Sequence, residues 1–345
     1  MKKRYLNKVK RKPYDNLSHN YIRLNGAERN NDFSKSMWNK FLSSLKQSDI
    51  KYYPNLDELY DALAAHYDID KEGLIIGDGS DRIIKYIFEC FVEQGDEVIT
   101  SNPSFPMYEV YTKLYNAKIN KIDYKGLKVD LDRICSTVNE STAAIILSNP
   151  SSPIGDVINS KDLYRLITKA AEYDCLLIID EAYIEFSDSA ESFLKKVMDF
   201  ENLIVIKTFS KAIGSAGVRF GFGYTNKELI KYINKFRTNH EITGLTMKWV
   251  LNILNHWDEI ELYINHVKKL KQKLIDKCIE AKLDVVDGEC NWIHVNNITD
   301  NLQLNTNNII LRDKCSIPND NRNNWIRLCI PPDSKTIDYL FEIKD

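Results

Sequence analysis

Short apolar runs alternate with amphipathic stretches along most of this chain. Consecutive apolar residues are typical of buried strands, and apolar residues three or four positions apart are typical of helices. The apolar runs predict strands at 74–76, 97–100, 143–148, 176–180, 203–208 and 219–224. The amphipathic stretches predict helices at 57–67, 81–92, 160–173, 227–236 and 247–256. This alternation indicates an α/β protein built on a largely parallel sheet.

The pattern changes near residue 256. A long helical stretch occupies 258–280, and shorter strands follow from residue 284. A chain of 345 residues, of which 43% are hydrophobic, can bury one large core and a smaller one. We therefore expect an N-terminal arm with part of a small domain (1–45), a large domain (46–255) and a small C-terminal α/β domain (256–345).

The first candidate for chemistry is Lys211, which follows the predicted strand at 203–208. Ser210 and Ser215 flank it, and Arg219 comes shortly after. Partial burial lowers the pKa of a lysine and frees its amine to attack carbonyl groups. Hydroxyl groups and a forked guanidinium suit a phosphate monoester. An amine nucleophile beside a phosphate site is what pyridoxal phosphate (PLP) requires.

Two other predicted strands end in polar residues. The strand at 176–180 ends at Asp180, and the strand at 143–148 is followed by a turn rich in proline and serine at 149–155. The carboxyl ends of parallel strands are where α/β proteins bind ligands. A carboxylate at this position is suited to pair with a protonated pyridine nitrogen, which keeps the cofactor ring an electron sink.

These segments together resemble the fold-type I PLP enzymes, and most closely the histidinol-phosphate aminotransferase group. The resemblance spans residues 52–327. The motif Asp-Glu-Ala-Tyr is intact at 180–183, and Ser-Lys-x-x-Gly-x-Ala-Gly-x-Arg is intact at 210–219. A glycine-rich loop at 77–81 resembles the phosphate loop of the family. The resemblance implies an aspartate-aminotransferase-like fold, with a seven-stranded, mostly parallel sheet in the large domain.

The resemblance also implies a role for each matching residue. Lys211 would hold PLP covalently and move a proton, Asp180 would keep the pyridine nitrogen protonated, and Tyr183 would bind the phenolic oxygen of the ring. A homodimer is implied as well, because the family's Tyr-Pro element places a tyrosine on the phosphate of the neighbouring subunit. The remaining cofactor contacts would be Gly79, Ser80, Asp81, Ser210 and Arg219 at the phosphate, Phe105 on the ring face, and Tyr53 from the other subunit.

The substrate is less defined. By resemblance, Arg327 would bind the substrate carboxylate with two parallel hydrogen bonds, and Arg312 is a candidate for the distal end of the substrate, which can carry a phosphate. Two departures concern this pocket. Ser152 stands where the family has an asparagine that contacts the phenolic oxygen of the ring. The Glu-Asn-Pro segment of the family corresponds only loosely to residues 25–30.

Composition excludes several classes of protein. The formal net charge of −2 excludes the general basicity of a nucleic-acid-binding protein. No apolar run approaches the roughly 20 residues of a membrane span. The seven cysteines are widely spaced, without a metal-type pair, which fits reduced thiols in the cytoplasm. The basic residues within 1–12 indicate a solvated arm or an arm that clasps a dimer partner.

Three functions are consistent with these motifs. The first is an aminotransferase that moves an amino group, with glutamate as the expected donor, to a small carbonyl compound. The second is a PLP-dependent decarboxylase of a phosphorylated amino acid, on the pattern of threonine-phosphate decarboxylase. The third is a non-catalytic PLP-binding regulator, a class that usually carries a DNA-binding domain for which we expect no room here. The sequence favours the first.

Overall fold

The computed structural model describes residues 21–296, 304, 306–322 and 324–342. The basic stretch at 1–12 lies outside these residues. The described helices are α1 (Lys35–Ser44), α2 (Ser48–Lys51), α3 (Asp57–Tyr67), α4 (Ser80–Phe91), α5 (Pro106–Leu114), α6 (Leu131–Thr137), α7 (Ser160–Ala171), α8 (Lys227–Ile233), α9 (Gly244–Leu254), α10 (Trp257–Glu280) and α11 (Ser334–Leu340).

The described strands form three sheets. A two-stranded sheet contains β1 (Ile22–Arg23) and β11 (Ile309–Ile310). The large sheet has the order β2-β8-β7-β6-β5-β3-β4, and the four-stranded sheet has the order β12-β13-β10-β9. Their strands are β2 (Leu74–Gly77), β3 (Glu97–Asn102), β4 (Lys118–Asp123), β5 (Thr142–Ser148), β6 (Leu176–Asp180), β7 (Leu203–Thr208), β8 (Gly221–Thr225), β9 (Asp284–Asp287), β10 (Trp292–Asn296), β12 (Arg312–Cys315) and β13 (Trp325–Cys329).

The direction of the strands in the large sheet brings several polar residues to one edge. β4, β3, β5, β6 and β7 are mutually parallel, whereas β8 runs antiparallel to both β7 and β2. The carboxyl ends of the parallel strands and the start of β8 therefore meet at the same edge. This arrangement confirms the expectation of a seven-stranded sheet with one antiparallel member.

Each central strand is apolar on both faces, because helices cover the sheet on both sides. In β6, Leu177 and Ile179 belong to the core that includes α7, α9 and α10, while Ile178 faces the core that includes α4, α5 and α8. Burial of such residues in succession explains why the central strands appear in the sequence as uninterrupted apolar runs. The two cores hold the polar edge of the sheet in a fixed geometry.

The N-terminal segment joins the C-terminal part of the chain. β1 pairs in parallel with β11, and the Cys329 N–H donates to the carbonyl oxygen of Leu24 at 3.1 Å. α10 connects the large sheet to the four-stranded sheet and packs on β9 and β10. Part of the segment at 1–45 thus pairs with the C-terminal strands. The boundaries at 45 and 255 stay a prediction.

The elements around the large sheet that were missing from the prediction include β4, α5 and α6. The edge strand β4 is mostly exposed or half-buried, so its sequence lacks an apolar run. α5 begins at Pro106, directly after a turn. The predicted strand at 219–224 begins instead at Gly221, because Arg219 has a left-handed backbone with φ of +57°.

Within the described residues, all seven cysteines are free thiols. The described residues contain neither a helix with the length and apolarity of a membrane span nor a cluster of side chains suited to bind a metal ion.

Candidate active site

Lys211 lies in the turn that follows β7, with its side chain enclosed. Its Nζ donates to the carbonyl oxygen of Gly26 at 2.9 Å and lies 5.7 Å from the centre of the Tyr183 ring. Burial lowers the pKa of Lys211 to about 8, and the nearby positive charge of Arg327 acts in the same direction. A substantial share of this amine is therefore neutral near pH 8, as a nucleophile requires.

Asp180 ends β6 at the same edge of the sheet. Its carboxylate accepts hydrogen bonds from the Tyr108 hydroxyl at 2.8 Å and from the Ala182 N–H at 3.1 Å. Burial raises the pKa of Asp180 to about 6, although both hydrogen bonds favour the charged form. No ion pair to Asp180 occurs among the described residues. A buried carboxylate in this state is stabilised by a cationic ligand.

The neighbouring acid, Glu181, differs from Asp180 in that its carboxylate is fully engaged by other residues of the protein. It accepts hydrogen bonds from the Phe193 N–H at 2.7 Å and the Ser192 hydroxyl at 2.6 Å, and it pairs with the buried Lys207 at 3.3 Å. Successive residues of a strand point to opposite sides. Of the two acids in the motif, only Asp180 lies at the cavity.

A loop between β2 and α4 faces Arg219. The Arg219 guanidinium donates to the carbonyl oxygen of Asp78 at 3.3 Å and to the Ser210 hydroxyl at 3.4 Å. Gly79 has φ of +99°, and a Cβ there would lie 2.4 Å from an Arg219 nitrogen. The left-handed backbone and this close approach to the arginine together favour glycine at this position. Ser80 and Asp81 begin α4, whose first N–H groups suit an anion.

These residues surround a cavity of about 550 Å³. Of the predicted site residues, those that line it are Ser80, Asp81, Phe105, Ser152, Asp180, Tyr183, Ser210, Lys211 and Arg219. Gly79 lies just outside the lining, in contact with Arg219. Ser152 is placed by its own N–H, which donates to the Ser148 hydroxyl at 2.8 Å.

The two predicted substrate arginines lie on the four-stranded sheet and not in the cavity lining. Arg327 on β13 and Arg312 on β12 are directly opposite each other. Arg327 is buried, donates to the carbonyl oxygen of Asn25 at 2.6 Å and lies over the ring of Trp292 at 5.1 Å. Trp292 in turn packs edge-on against Tyr183, with ring centres 4.6 Å apart. Trp292 thus contacts both Arg327 and Tyr183, and of these three residues only Tyr183 lines the cavity.

Tyr53 is not part of the cavity of its own chain. Its ring is 78% exposed and stacks on His240, with centres 3.8 Å apart and planes inclined by 5°. A tyrosine that is exposed and held in one orientation is available to a second subunit. The structure holds one chain, so the predicted contact stays a prediction.

Several lining residues were missed by the sequence analysis. Tyr108 lies on α5, a helix that was not predicted, although Pro106 at the start of that helix was a usable signal. The N-terminal segment contributes three charged residues, Arg23, Glu28 and Arg29, from the stretch that matched the family poorly. Sequence spacing gives no indication that this stretch lies over Lys211.

The cavity suits one particular cofactor. It combines an enclosed amine, a buried carboxylate in need of a cation, aromatic walls and a glycine loop facing an arginine. PLP has a matching group for each of these: an aldehyde, a pyridine nitrogen, an aromatic ring and a phosphate.

Known structures share the fold. Histidinol-phosphate aminotransferase from Sinorhizobium meliloti, solved in complex with pyridoxal-5'-phosphate, superposes with a TM-score of 0.81 at 22% identity, over 92% of this chain and 88% of that one. L-threonine-O-3-phosphate decarboxylase from Porphyromonas gingivalis superposes with a TM-score of 0.77 at 17% identity, over 92% of this chain and 98% of that one. The fold is that of the aspartate-aminotransferase-like PLP enzymes.

Sequence comparison gives the family. The profile of the family "Aminotransferase class I and II" matches residues 16–343. Histidinol-phosphate aminotransferase from Clostridium novyi (strain NT) is 31% identical over 341 residues, which cover 96% of this chain and 94% of that relative. The chain belongs to the class I and II aminotransferase family. It is a PLP-dependent aminotransferase of the histidinol-phosphate aminotransferase-like group.

Proposed function

We propose that this enzyme moves an amino group from an amino acid, with glutamate as the expected donor, to a small carbonyl compound that carries a phosphate. The observation that carries the proposal is the placement of Lys211 and Asp180 in one cavity of about 550 Å³. When bound, PLP supplies the electron sink that lets a substrate lose its Cα proton. The relatives named histidinol-phosphate aminotransferase support a phosphorylated substrate.

Lys211 has two tasks in this proposal. Its neutral amine would hold the cofactor covalently, and the free amine would move the proton that leaves the substrate Cα. Its pKa of about 8 supports both tasks, because the group then gains and loses a proton readily near neutral pH. The hydrogen bond from Lys211 to the carbonyl oxygen of Gly26 gives the amine a resting position above the cavity floor.

Asp180 and Tyr183 hold the cofactor ring. Asp180, oriented by Tyr108, keeps the pyridine nitrogen protonated by placing a negative charge beside it. Tyr183 would donate its hydroxyl to the phenolic oxygen, and Phe105 would cover one face of the ring; both side chains line the cavity. Ser152 occupies the place of the family's asparagine, and its shorter side chain would either lose the hydrogen bond to the phenolic oxygen or make it through a water molecule.

The phosphate of the cofactor is bound by the loop at α4 and by Arg219. Ser80, Asp81 and Ser210 complete this site, with the backbone of Gly79 close to Arg219. We propose that Tyr53 of a second subunit also reaches this phosphate, so that the active enzyme is a homodimer. The exposure of Tyr53 supports this assignment.

In the proposal, Arg327 would bind the α-carboxylate of the substrate. Arg312, the sequence candidate for the distal group, lies opposite Arg327 on the four-stranded sheet and outside the cavity lining. The short contact of Arg327 with the carbonyl oxygen of Asn25 supports the role of Arg327, because it fixes the guanidinium in one orientation. The free thiols support a reducing compartment, and we propose that the enzyme acts in the cytoplasm.

The experiment that tests the proposal follows the cofactor band of the purified enzyme. Addition of L-glutamate should convert the yellow form to the amine form without release of carbon dioxide, and a phosphorylated keto compound should restore it. Carbon dioxide release with recovery of the cofactor would indicate a decarboxylase of a phosphorylated amino acid instead. Lys211→Ala should abolish turnover and prevent covalent attachment of the cofactor by borohydride; normal activity in that variant would refute the proposal.

A further inference from the structure

Arg29 lies in the wall of the active-site cavity with its guanidinium held between two aromatic rings. The central carbon of the guanidinium is 4.1 Å from the centre of the Phe33 ring and 4.1 Å from that of the Tyr263 ring. Stacking on both faces leaves only the edge of the guanidinium able to make hydrogen bonds. The side chain is therefore fixed in one plane before any ligand arrives.

Two of the three edge nitrogens of Arg29 are used within its own segment. Nε donates to the carbonyl oxygen of Asn31 at 3.1 Å, and Nη2 donates to that of Asp32 at 3.2 Å. Nη1 is enclosed and makes no hydrogen bond to the described residues. A buried donor without an acceptor is costly, and such donors commonly await a ligand.

Arg29 makes no salt bridge in the described part of the chain, although Glu259 and Asp32 are near enough to favour its charged form. The neighbouring arginine, Arg23, lines the same cavity but pairs with Glu28 at 2.9 Å. The two charges of that pair cancel, whereas Arg29 keeps Nη1 without an acceptor among the described residues. Burial lowers the pKa of Arg29, which means that its charge is poorly solvated and favours a nearby anion.

The position of Arg29 is tied to that of Lys211. A Cβ at Gly214, where φ is +76°, would lie 2.5 Å from Cδ of Arg29, so the arginine stem packs directly on the turn that follows Lys211. Arg29 also lines a second cavity of about 630 Å³, bordered by Asp32, Phe33 and Trp38. The side of the active site near Arg29 thus has room for the part of a substrate that extends away from the reacting carbon.

We propose that Arg29 is a specificity-determining residue that binds a second anionic group, a carboxylate or a phosphate, at the distal end of the substrate. This inference rests on the proposed function and adds a property to it: the enzyme selects substrates with two anionic groups. Arg327 binds one of them, and the free Nη1 of Arg29 binds the other. A guanidinium accepts either group through the same charge-assisted hydrogen bonds.

The test uses the holoenzyme and two matched pairs of amino acids, L-glutamate with L-glutamine and O-phospho-L-serine with L-serine. The change in the cofactor band gives a half-reaction rate and an apparent dissociation constant for each. The wild-type enzyme should prefer the charged member of at least one pair by tenfold or more. Which pair shows the preference distinguishes a carboxylate from a phosphate as the second group.

Arg29→Met should reduce that preference about ten- to hundredfold by weakening binding of the charged member, and should leave the neutral member nearly unchanged. The preference of Arg29→Lys for the charged member should lie between those of the wild-type enzyme and Arg29→Met, because lysine keeps the charge and loses the planar edge. Arg165→Met removes an arginine that pairs with Asp132 outside both cavities and is the matched control; its preference should match that of the wild-type enzyme.

Two results would overturn the inference: a wild-type enzyme without preference in either pair, or an Arg29→Met variant that loses activity equally on all four amino acids. The second result would indicate that Arg29 serves only to pack the segment. A wild-type enzyme whose cofactor band responds to no amino acid would instead refute the proposed function, so the two failures are distinguishable.

Discussion

The amine of Lys211 donates a hydrogen bond to the carbonyl oxygen of Gly26 at 2.9 Å. This contact joins the turn after a central strand of the large sheet to the N-terminal segment. The same segment supplies Arg29 to the cavity wall and the carbonyl oxygen of Asn25 to Arg327. A stretch that resembled the family only loosely therefore lies over the reactive amine.

The pKa of Lys211 predicts how the enzyme captures its cofactor. Only the neutral amine attacks an aldehyde, so capture of PLP by the apoenzyme should rise about tenfold per pH unit below pH 8 and level off above it. The measurement is the rate of appearance of the yellow band between pH 6 and pH 10. Nα-acetyl-lysine, with an ordinary amine, is the control and should keep rising through pH 10.

Arg327 contributes to that low pKa by repulsion. Arg327→Met should therefore move the midpoint of the capture curve to higher pH. An unchanged midpoint in this variant would show that burial alone sets the pKa.

Asp180→Asn should have opposite effects on stability and on catalysis. The folded protein raises the pKa of Asp180 to about 6, so its ionised form opposes folding. The cost is absent below about pH 4, where the group is protonated in both states, and is complete above about pH 6, where it reaches up to about 3 kcal/mol. The apoprotein of Asp180→Asn should resist urea better than the wild-type apoprotein at pH 8, and equally at pH 4.

The same variant should lose roughly a hundredfold in turnover, because a neutral amide cannot keep the pyridine nitrogen protonated; this corresponds to about 3 kcal/mol. Steady-state kinetics with saturating cofactor measures it. A loss below threefold would mean that Asp180 only ends its strand.

Gly79→Ala should weaken cofactor binding at least tenfold. Its Cβ would lie 2.4 Å from an Arg219 nitrogen and would displace the guanidinium from the loop. Gly95→Ala is a matched control, since Gly95 has nearly the same backbone, with φ of +103°, and no atom within 4 Å of its Cβ position. Equilibrium dialysis should show weaker PLP binding by Gly79→Ala than by Gly95→Ala. Equal affinities would show that the glycine loop does not contribute to phosphate binding.

Substitution of Tyr53 tests whether the active enzyme is a homodimer. Lys211→Ala and Tyr53→Phe homodimers should each be impaired, and mixing them should restore part of the activity, because one site of a mixed dimer combines an intact lysine with an intact tyrosine. Sedimentation should give the mass of two chains. Activity in a monomer would contradict the assignment of Tyr53.

The sequence predicted those features that depend on residues close together in the chain. The buried strands β5, β6 and β7 appear as apolar runs, and the polar residues at their ends follow from the parallel sheet. β4 (Lys118–Asp123) was not predicted, because this edge strand is largely solvated and has no apolar run. Its place depends on pairing with β3, which no short pattern contains.

The candidate site residues also divide into those predicted from local motifs and those that depend on contacts between distant segments. Lys211, Asp180 and Arg219 were predicted from motifs that are contiguous in the sequence. Tyr108 was missed because it meets Asp180 across 72 positions, and Arg29 because its role depends on rings at positions 33 and 263. Contacts of this kind arise only when distant segments pack together, so their residues carry no local signature.

The parallel pairing of β1 with β11 has a consequence for how substrate preference can change. Ile22–Arg23 and Ile309–Ile310 are held together by the backbone, and Leu24 is bonded to the end of β13. The arginines proposed to bind the substrate, Arg29 and Arg327, therefore belong to segments from both ends of the chain that are bonded to each other, while Lys211 and Asp180 belong to the central sheet. We expect that an exchange of both end segments between relatives would transfer the substrate preference, whereas an exchange of one segment alone would break the pairing between them.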